Sequence, residues 1–319
     1  MRHSGRSRSV LTMETVIETH ALTKKFGARA AVNGVDLTVP AGVAFGFLGP
    51  NGAGKTTMIR TLLGLTRPTS GDVAILGLPQ PSKRAEALAR VGAIVEEPRF
   101  HPHLTGRENL KIVAAVRDAA AAARIPDSLA RVGLSSRADD RVKSYSLGMR
   151  QRLGIARCLL ADPALLILDE PMNGLDPAGI LEMRHLIRDF VSEGRTVFLS
   201  SHLLDEVEKT CDQVAIVDQG RVIIQGSVAE IASTGDPTVL IEVDDTAAAR
   251  TLLSGETRIG AVEEEGHGLL RLTLAGDLTP AQLNRTLIEA GIAVSRLEPA
   301  RASLEEKFLS ITSRLEGNE

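Results

Sequence analysis

Between residues 15 and 230, short apolar runs alternate with stretches of helical period. The runs at 42–50 (GVAFGFLGP), 164–171 (ALLILDEP), 196–201 (TVFLSS) and 213–220 (QVAIVDQG) are nearly continuous in apolar residues and end in turn residues. A strand covered on both faces has that pattern, so a mostly parallel sheet flanked by helices is predicted. From Leu104 to Leu160 the chain is rich in Ala, Leu and Arg and reads as mainly helix. Past Gly235 the texture changes again. Strands TVLIEVDD, TRIGAVEEE, GLLRLTLAG and IAVSRLEP are interleaved with helices TAAARTLLSG and TPAQLNRTLIEAG, the second with Thr279 as its N-cap. The order βαββαβ is the ferredoxin-like pattern. A last helix is expected over about 302–315.

A chain of 319 residues suggests two domains. The pattern divides it into a tail at 1–13, an α/β domain at 14–234 with a helical subdomain at about 100–160, and an α+β domain at 237–319. The linker falls near Ser233 to Pro237. The opening MRHSGRSRSVLT is basic and Ser-rich without an apolar core. It is expected to be a tail, or to precede a start at Met13, and not to be a secretory signal. No apolar run reaches the roughly 18 residues of a membrane span.

Net charge is −3, which gives no electrostatic footprint for nucleic acid. Aromatics are 3% of the chain, with no Trp and one Tyr, too few for base-stacking platforms. The two cysteines, Cys158 and Cys211, do not make a disulfide framework and are expected to pack in the core.

Three stretches carry chemistry. Gly49-Pro50-Asn51-Gly52-Ala53-Gly54-Lys55-Thr56-Thr57 matches G-x-x-x-x-G-K-[ST], between a predicted strand and a predicted helix. The glycines let backbone N–H groups turn toward phosphate, and the helix N-terminus adds positive potential. Lys55 is expected to reach the β- and γ-phosphates, and the Thr56 hydroxyl to bind Mg²⁺. The strand ending Asp169-Glu170 supplies a Walker-B-type carboxylate for Mg²⁺ in Asp169. Glu170 is placed to take a proton from an attacking water. His202, just past TVFLSS, is either a surface residue or a donor to the γ-phosphate.

In this order the motifs resemble the ATP-binding subunit of ATP-binding-cassette (ABC) transporters. The likeness covers about residues 14 to 230. Tyr145-Ser146-Leu147-Gly148-Met149 is similar to the signature usually written LSGGQ, and NGLD (173–176) resembles the D-loop. The family implies a P-loop NTPase ABC cassette, a RecA-like parallel sheet core with a helical subdomain, here followed by a small ferredoxin-like α+β domain. It also implies two cassettes closed head to tail over two ATP molecules. Ser146, Leu147, Gly148 and Met149 of one then hold the ATP of the other, and Asp176 helps to link the two sites. Phe26 falls where the family stacks an aromatic on adenine; a core Phe is the other reading.

Two positions depart from the family. Its Q-loop Gln is replaced by Glu96, beside Glu97, which would bring a charged acceptor to Mg²⁺. Leu147 stands where Gly is usual, and its Cβ would limit a positive φ. The ending PARASLEEKFLSIT (299–312), like AIVEEP, is similar to bacterial drug- and bacitracin-type export cassettes.

The resemblance implies an ATPase with ATP and Mg²⁺ as ligands. Its partners would be a second cassette and a separate integral membrane permease, with no nucleic acid. Its place would be peripheral, at the cytoplasmic face of the membrane. Phe100, His101 and His103, after Glu96, would dock the permease. A soluble ABC ATPase of ribosomes or DNA repair usually has two cassettes or a long inserted coiled coil. A P-loop kinase has no use for the signature. Neither alternative fits the motif set, and cargo is not encoded in these motifs.

Overall fold

The computed structural model describes residues 15–300 apart from 118, 234–237, 267 and 277, together with Leu304 and Phe308. The tail at 1–13 and most of the expected closing helix lie outside the described residues; Leu304 and Phe308 are helical. Contacts divide the chain between Ser227 and Val228. The helix Val228–Ser233, read from sequence as the end of the first domain, therefore groups with the second unit.

The first unit holds two sheets. One is six-stranded, in the order β10-β9-β3-β8-β7-β6. Its members are β3 (Ala44–Leu48), β6 (Val91–Ile94), β7 (Leu165–Asp169), β8 (Thr196–Ser201), β9 (Gln213–Asp218) and β10 (Arg221–Ser227). All are parallel except β10, which returns as a hairpin on β9. Four of these are the runs predicted from their unbroken apolar character, and β3, β7 and β8 are buried at every residue.

The second sheet was not foreseen in the sequence. It is antiparallel, in the order β2-β1-β4-β5, from β1 (Thr15–Phe26), β2 (Arg29–Pro40), β4 (Ser70–Ile75) and β5 (Leu78–Gln80). The signal was present in DLTVP, where buried and exposed positions alternate, the period of a strand with one wet face.

A shared core joins the two sheets. Ile17, Leu22, Leu37 and Val39 from the antiparallel sheet meet Phe45, Phe47, Ile167 and Phe198 from the parallel one. Phe198 lies 5.8 Å from Phe45 and 5.6 Å from Phe47, ring centre to ring centre. The helix Lys55–Leu62 feeds Met58, Ile59 and Leu62 into the same core, which fixes its N-terminus at the C-terminal ends of β3, β7 and β8. That edge is where open α/β sheets place ligands.

The segment after β6 is helical, as expected: Gly106–Ala115, Ala119–Ala123, Ile125–Arg131 and Leu147–Leu159, with two short 3-10 turns. Thr105 and Glu108 close a capping box at the first of these helices. Both cysteines are free and buried. Each fills space left by a glycine: a Cβ on Gly92 would lie 2.6 Å from Cys158 Cβ, and one on Gly46 would lie 3.3 Å from Cys211 Sγ. Burial pushes the Cys158 thiol up to about 11, as suits a packing residue.

In the second unit β11 (Thr238–Val243), β12 (Ile259–Gly266), β13 (Leu269–Leu274) and β14 (Val294–Ala300) form an antiparallel sheet in the order β12-β13-β11-β14. Counted within the unit that is 2-3-1-4, the ferredoxin-like arrangement. Val239, Ile241, Leu270 and Leu272 pack with Leu253 of the helix Thr246–Ser254 and with Leu283 and Leu287 of a second, Pro280–Glu289. Thr279 and Gln282 form a capping box at the second helix.

Phe198 is fully buried between two other rings. Phe198→Ala is expected to destabilise the first unit by about 3–5 kcal/mol. The measurement is the urea midpoint followed by far-UV circular dichroism.

Candidate active site

The loop Gly49–Gly54 leaves β3 and turns into the helix at Lys55. Gly54 takes φ +102°, and a Cβ there would lie 2.0 Å from the Ala31 carbonyl, so only glycine fits. Lys55 is buried, at 6% exposure. Its ammonium donates to the carbonyls of Gly49 (2.7 Å) and Pro50 (3.2 Å) and lies 3.2 Å from Glu170 Oε1.

Asp169 ends β7, buried, and Glu170 turns away from it with φ +49°. A left-handed residue that is not glycine costs about 1–3 kcal/mol, and such strain collects at functional sites. Here the turn sends two neighbouring carboxylates in different directions. Ser200 holds the turn: its hydroxyl donates to Asp169 Oδ1 (2.6 Å) and accepts from the Glu170 backbone N–H (2.9 Å). Glu170 Oε2 is 2.9 Å from His202 Nδ1, so Lys55, Glu170 and His202 form a continuous chain.

Ser200 escaped the sequence reading. Its signal was register: it lies opposite Asp169 in the β7–β8 ladder.

Two pockets meet at Thr56 and Glu170. The first, ≈ 390 Å³, is lined by Phe26, Arg29, Asn51, Gly52, Gly54, Lys55, Thr56 and Thr57 among others. Phe26 is 55% exposed, which decides against a core role, and Lys24 Nζ lies 4.9 Å from its ring centre. Arg29 donates to the Gly52 carbonyl at 3.2 Å. Ala53 is buried beneath the loop.

The second pocket, ≈ 410 Å³, gathers Thr56, Glu96, Asp169 and Glu170 with Glu97, Leu147, Gln151 and Gly174. Thr56, Asp169 and Glu96 are hard oxygen donors from three separate elements, a set that fits Mg²⁺. Among the described residues no cluster of three or more His, Cys, Asp or Glu could hold a metal alone. A divalent ion here would draw further ligands from phosphate and water, as Mg²⁺ usually does. Glu96 adopts φ +60° and pairs with Arg60 of the P-loop helix. Glu97 pairs with Arg150 at 3.2 Å.

Ser146, Leu147, Gly148 and Asp176 line a further pocket of ≈ 370 Å³ that includes none of Gly49–Thr57. Ser146 is the N-cap of the helix Leu147–Leu159 and accepts from the Met149 N–H at 3.2 Å. Leu147 opens the helix in ordinary right-handed geometry, so the positive φ feared at that position does not arise. Its side chain lies against Gly174, where an added Cβ would be 3.0 Å from Leu147 Cδ2. A Cβ on Gly148 would meet nothing closer than Leu175 Cδ2 at 3.7 Å. The protein's own packing therefore does not demand that glycine. Asp176 caps the helix Pro177–Ser192 by accepting from the Gly179 N–H at 3.0 Å.

Three kinds of likeness bear on this geometry. A family model described as ABC transporter matches residues 32–173. The chain is similar to the bacitracin transport ATP-binding protein BcrA of Bacillus licheniformis, 40% identical over 301 residues, covering 94% of this chain and 98% of that one. It is also similar to the Nod factor export ATP-binding protein I of Cupriavidus metallidurans, 36% identical over 320 residues, with 95% and 99% covered. Among solved structures, an ATP-binding subunit of an ABC transporter is 30% identical, with a TM-score of 0.61 over 68% of this chain and 92% of that one.

Ser200→Ala would release the turn at Glu170 while leaving the nucleotide pocket intact. The expected result is about a tenfold fall in kcat for nucleotide hydrolysis, the worth of one positioning hydrogen bond. Affinity for a fluorescent ATP analogue should stay within about twofold of the unaltered chain.

Proposed function

The chain belongs to the ABC transporter ATP-binding proteins, which are ATPases, and from that premise we propose that it powers a separate membrane permease as an exporter. The observation that carries the hydrolytic half is the chain Lys55–Glu170–His202 at the mouth of the P-loop. A γ-phosphate entering there competes with Glu170 for the Lys55 ammonium. Glu170, relieved of one partner, is then the base that takes the proton of the attacking water. His202 steadies that carboxylate through Nδ1, which leaves Nε2 to donate to a γ-phosphate. Thr56, Asp169 and Glu96 would hold Mg²⁺, whose charge offsets that of the phosphates. Backbone N–H groups of the loop, those of Asn51, Gly52 and Gly54 among them, would cradle the phosphates together with Thr57, and Phe26 would stack on adenine.

The partner cassette has its reason in the signature pocket. Ser146 caps a thirteen-residue helix with room above Gly148, in a pocket that includes none of Gly49–Thr57. A helix N-terminus without an acid in its first turn suits an anion brought by another subunit. Ser146, the Gly148 N–H and Met149 would grip the partner's γ-phosphate, with Leu147 packed beside them and Asp176 at the joint between sites.

For the permease, the segment after Glu97 offers a surface. The Arg157 guanidinium lies 5.4 Å from the Phe100 ring, and His101 stands edge-on to His103 at 5.8 Å. Ile112 on the helix that follows and Val116 just past its end are 45% and 83% exposed. Exposed apolar side chains together with aromatic, His and Arg side chains suit a partly buried protein contact. Among the described residues no helix is long and apolar enough to cross a membrane. Transport would therefore need a membrane subunit at whose cytoplasmic face this chain sits. Export is supported by relatives whose names carry bacitracin transport and Nod factor export.

Glu170→Gln is expected to keep ATP bound, lower turnover by about 10²–10⁴-fold and stabilise a dimer on size exclusion with ATP. A monomer with ATP bound throughout would count against the shared site. Lys55→Ala should abolish ATP binding in the monomer. Affinity purification from membranes should bring down a permease, and purification of the chain alone would count against coupling.

A further inference from the structure

Three of the four carboxylates around the second pocket are matched to cations, Glu170 to Lys55, Glu97 to Arg150, and Glu96 to Arg60, while Asp169 accepts from Ser200. Two of these pairs have an evident local reason. Lys55 belongs to the phosphate loop, and Arg150 also donates to the Tyr145 carbonyl, tying the segment after β6 to the signature helix. Arg60 is different. Among the described residues Glu96 is its only side-chain partner. It lies four residues beyond Thr56 on the same helix, hence on the face that Thr56 presents to the pocket.

Glu96 is unusual in a second way. Its φ of +60° is a conformation that a residue with a Cβ adopts at a cost. The pair with Arg60 does not repay that cost, because its side chains are 44% and 60% exposed and a solvated pair contributes little. A divalent cation between Thr56 and Asp169 would repay it. A compact double charge binds a hard carboxylate oxygen better than a delocalised guanidinium does.

We propose that Arg60 is a positioning residue that competes with Mg²⁺ for Glu96. It holds the carboxylate at the rim of the metal side, neutralised, and yields it when Mg²⁺ arrives with nucleotide. The exchange moves one negative charge from arginine to metal. Arg60 thereby sets how much Mg²⁺ the site needs. This rests on Thr56 and Asp169 being the metal side, as read above.

The test uses the full chain and a fluorescent ATP analogue that is not hydrolysed, titrated with Mg²⁺, with Mn²⁺ counted independently by electron paramagnetic resonance. Arg60→Met is expected to lower the half-saturating metal concentration roughly threefold to tenfold, since the competitor is gone. Arg60→Lys, which keeps a partner for Glu96, should stay near the unaltered chain. Glu96→Gln should raise the metal requirement, and Arg60→Met added to it should change nothing further. A shift that persists undiminished in the Glu96→Gln background would make Arg60 a distant charge only and overturn the exchange. So would no shift at all in a chain whose metal dependence Thr56→Ala does weaken. Nucleotide binding indifferent to metal in the unaltered chain would overturn the reading of the site as well, which separates the two failures.

Discussion

A buried ammonium must find partners, and the fold is arranged around one. Lys55 is almost wholly removed from solvent, where an unpaired charge would be prohibitive. Its partners are two carbonyls of its own loop and a carboxylate from the end of β7. That requirement binds local backbone to distant sheet. The loop must curl for its carbonyls to face inward, and β7 must lie in register with β8 for Ser200 to hold the Glu170 turn. The aromatic cluster beneath keeps β3 and β8 side by side at the spacing this needs. Phosphate affinity and sheet architecture are thus one constraint seen from two sides.

The residues of the phosphate loop, the acidic pair and the signature could be read from the chain because each motif is short and its chemistry is local. Glycine, lysine and threonine at fixed spacing have few other uses. The parallel sheet was equally legible, since strands covered on both faces have an unbroken apolar run. The antiparallel sheet was not, because β1 mixes charged residues with apolar ones and carries several register shifts along β2. Ser200 and Arg60 were invisible for another reason. A serine in a strand and an arginine on a helix become meaningful only when pairing sets them against Asp169 and Glu96. Phe26 shows the converse: its residue type left two uses open, and its exposure removed one.

The two departures from the family pattern are treated differently by the fold. Leu147 costs little, because the helix begins there in right-handed geometry and Gly174 makes room for the side chain. A large residue in the signature is matched by a missing one in the loop opposite. Glu96 has no such compensation in packing. Its pair with Arg60 is solvated and contributes little against the cost of the positive φ.

The left-handed backbone at Glu170 has an evolutionary consequence. Glycine or asparagine would sit there with less backbone strain, but either would take away the carboxylate that the buried Lys55 ammonium needs. Selection on backbone ease and selection on charge therefore pull residue 170 in opposite directions. A descendant could relax this turn only after the lysine had changed as well.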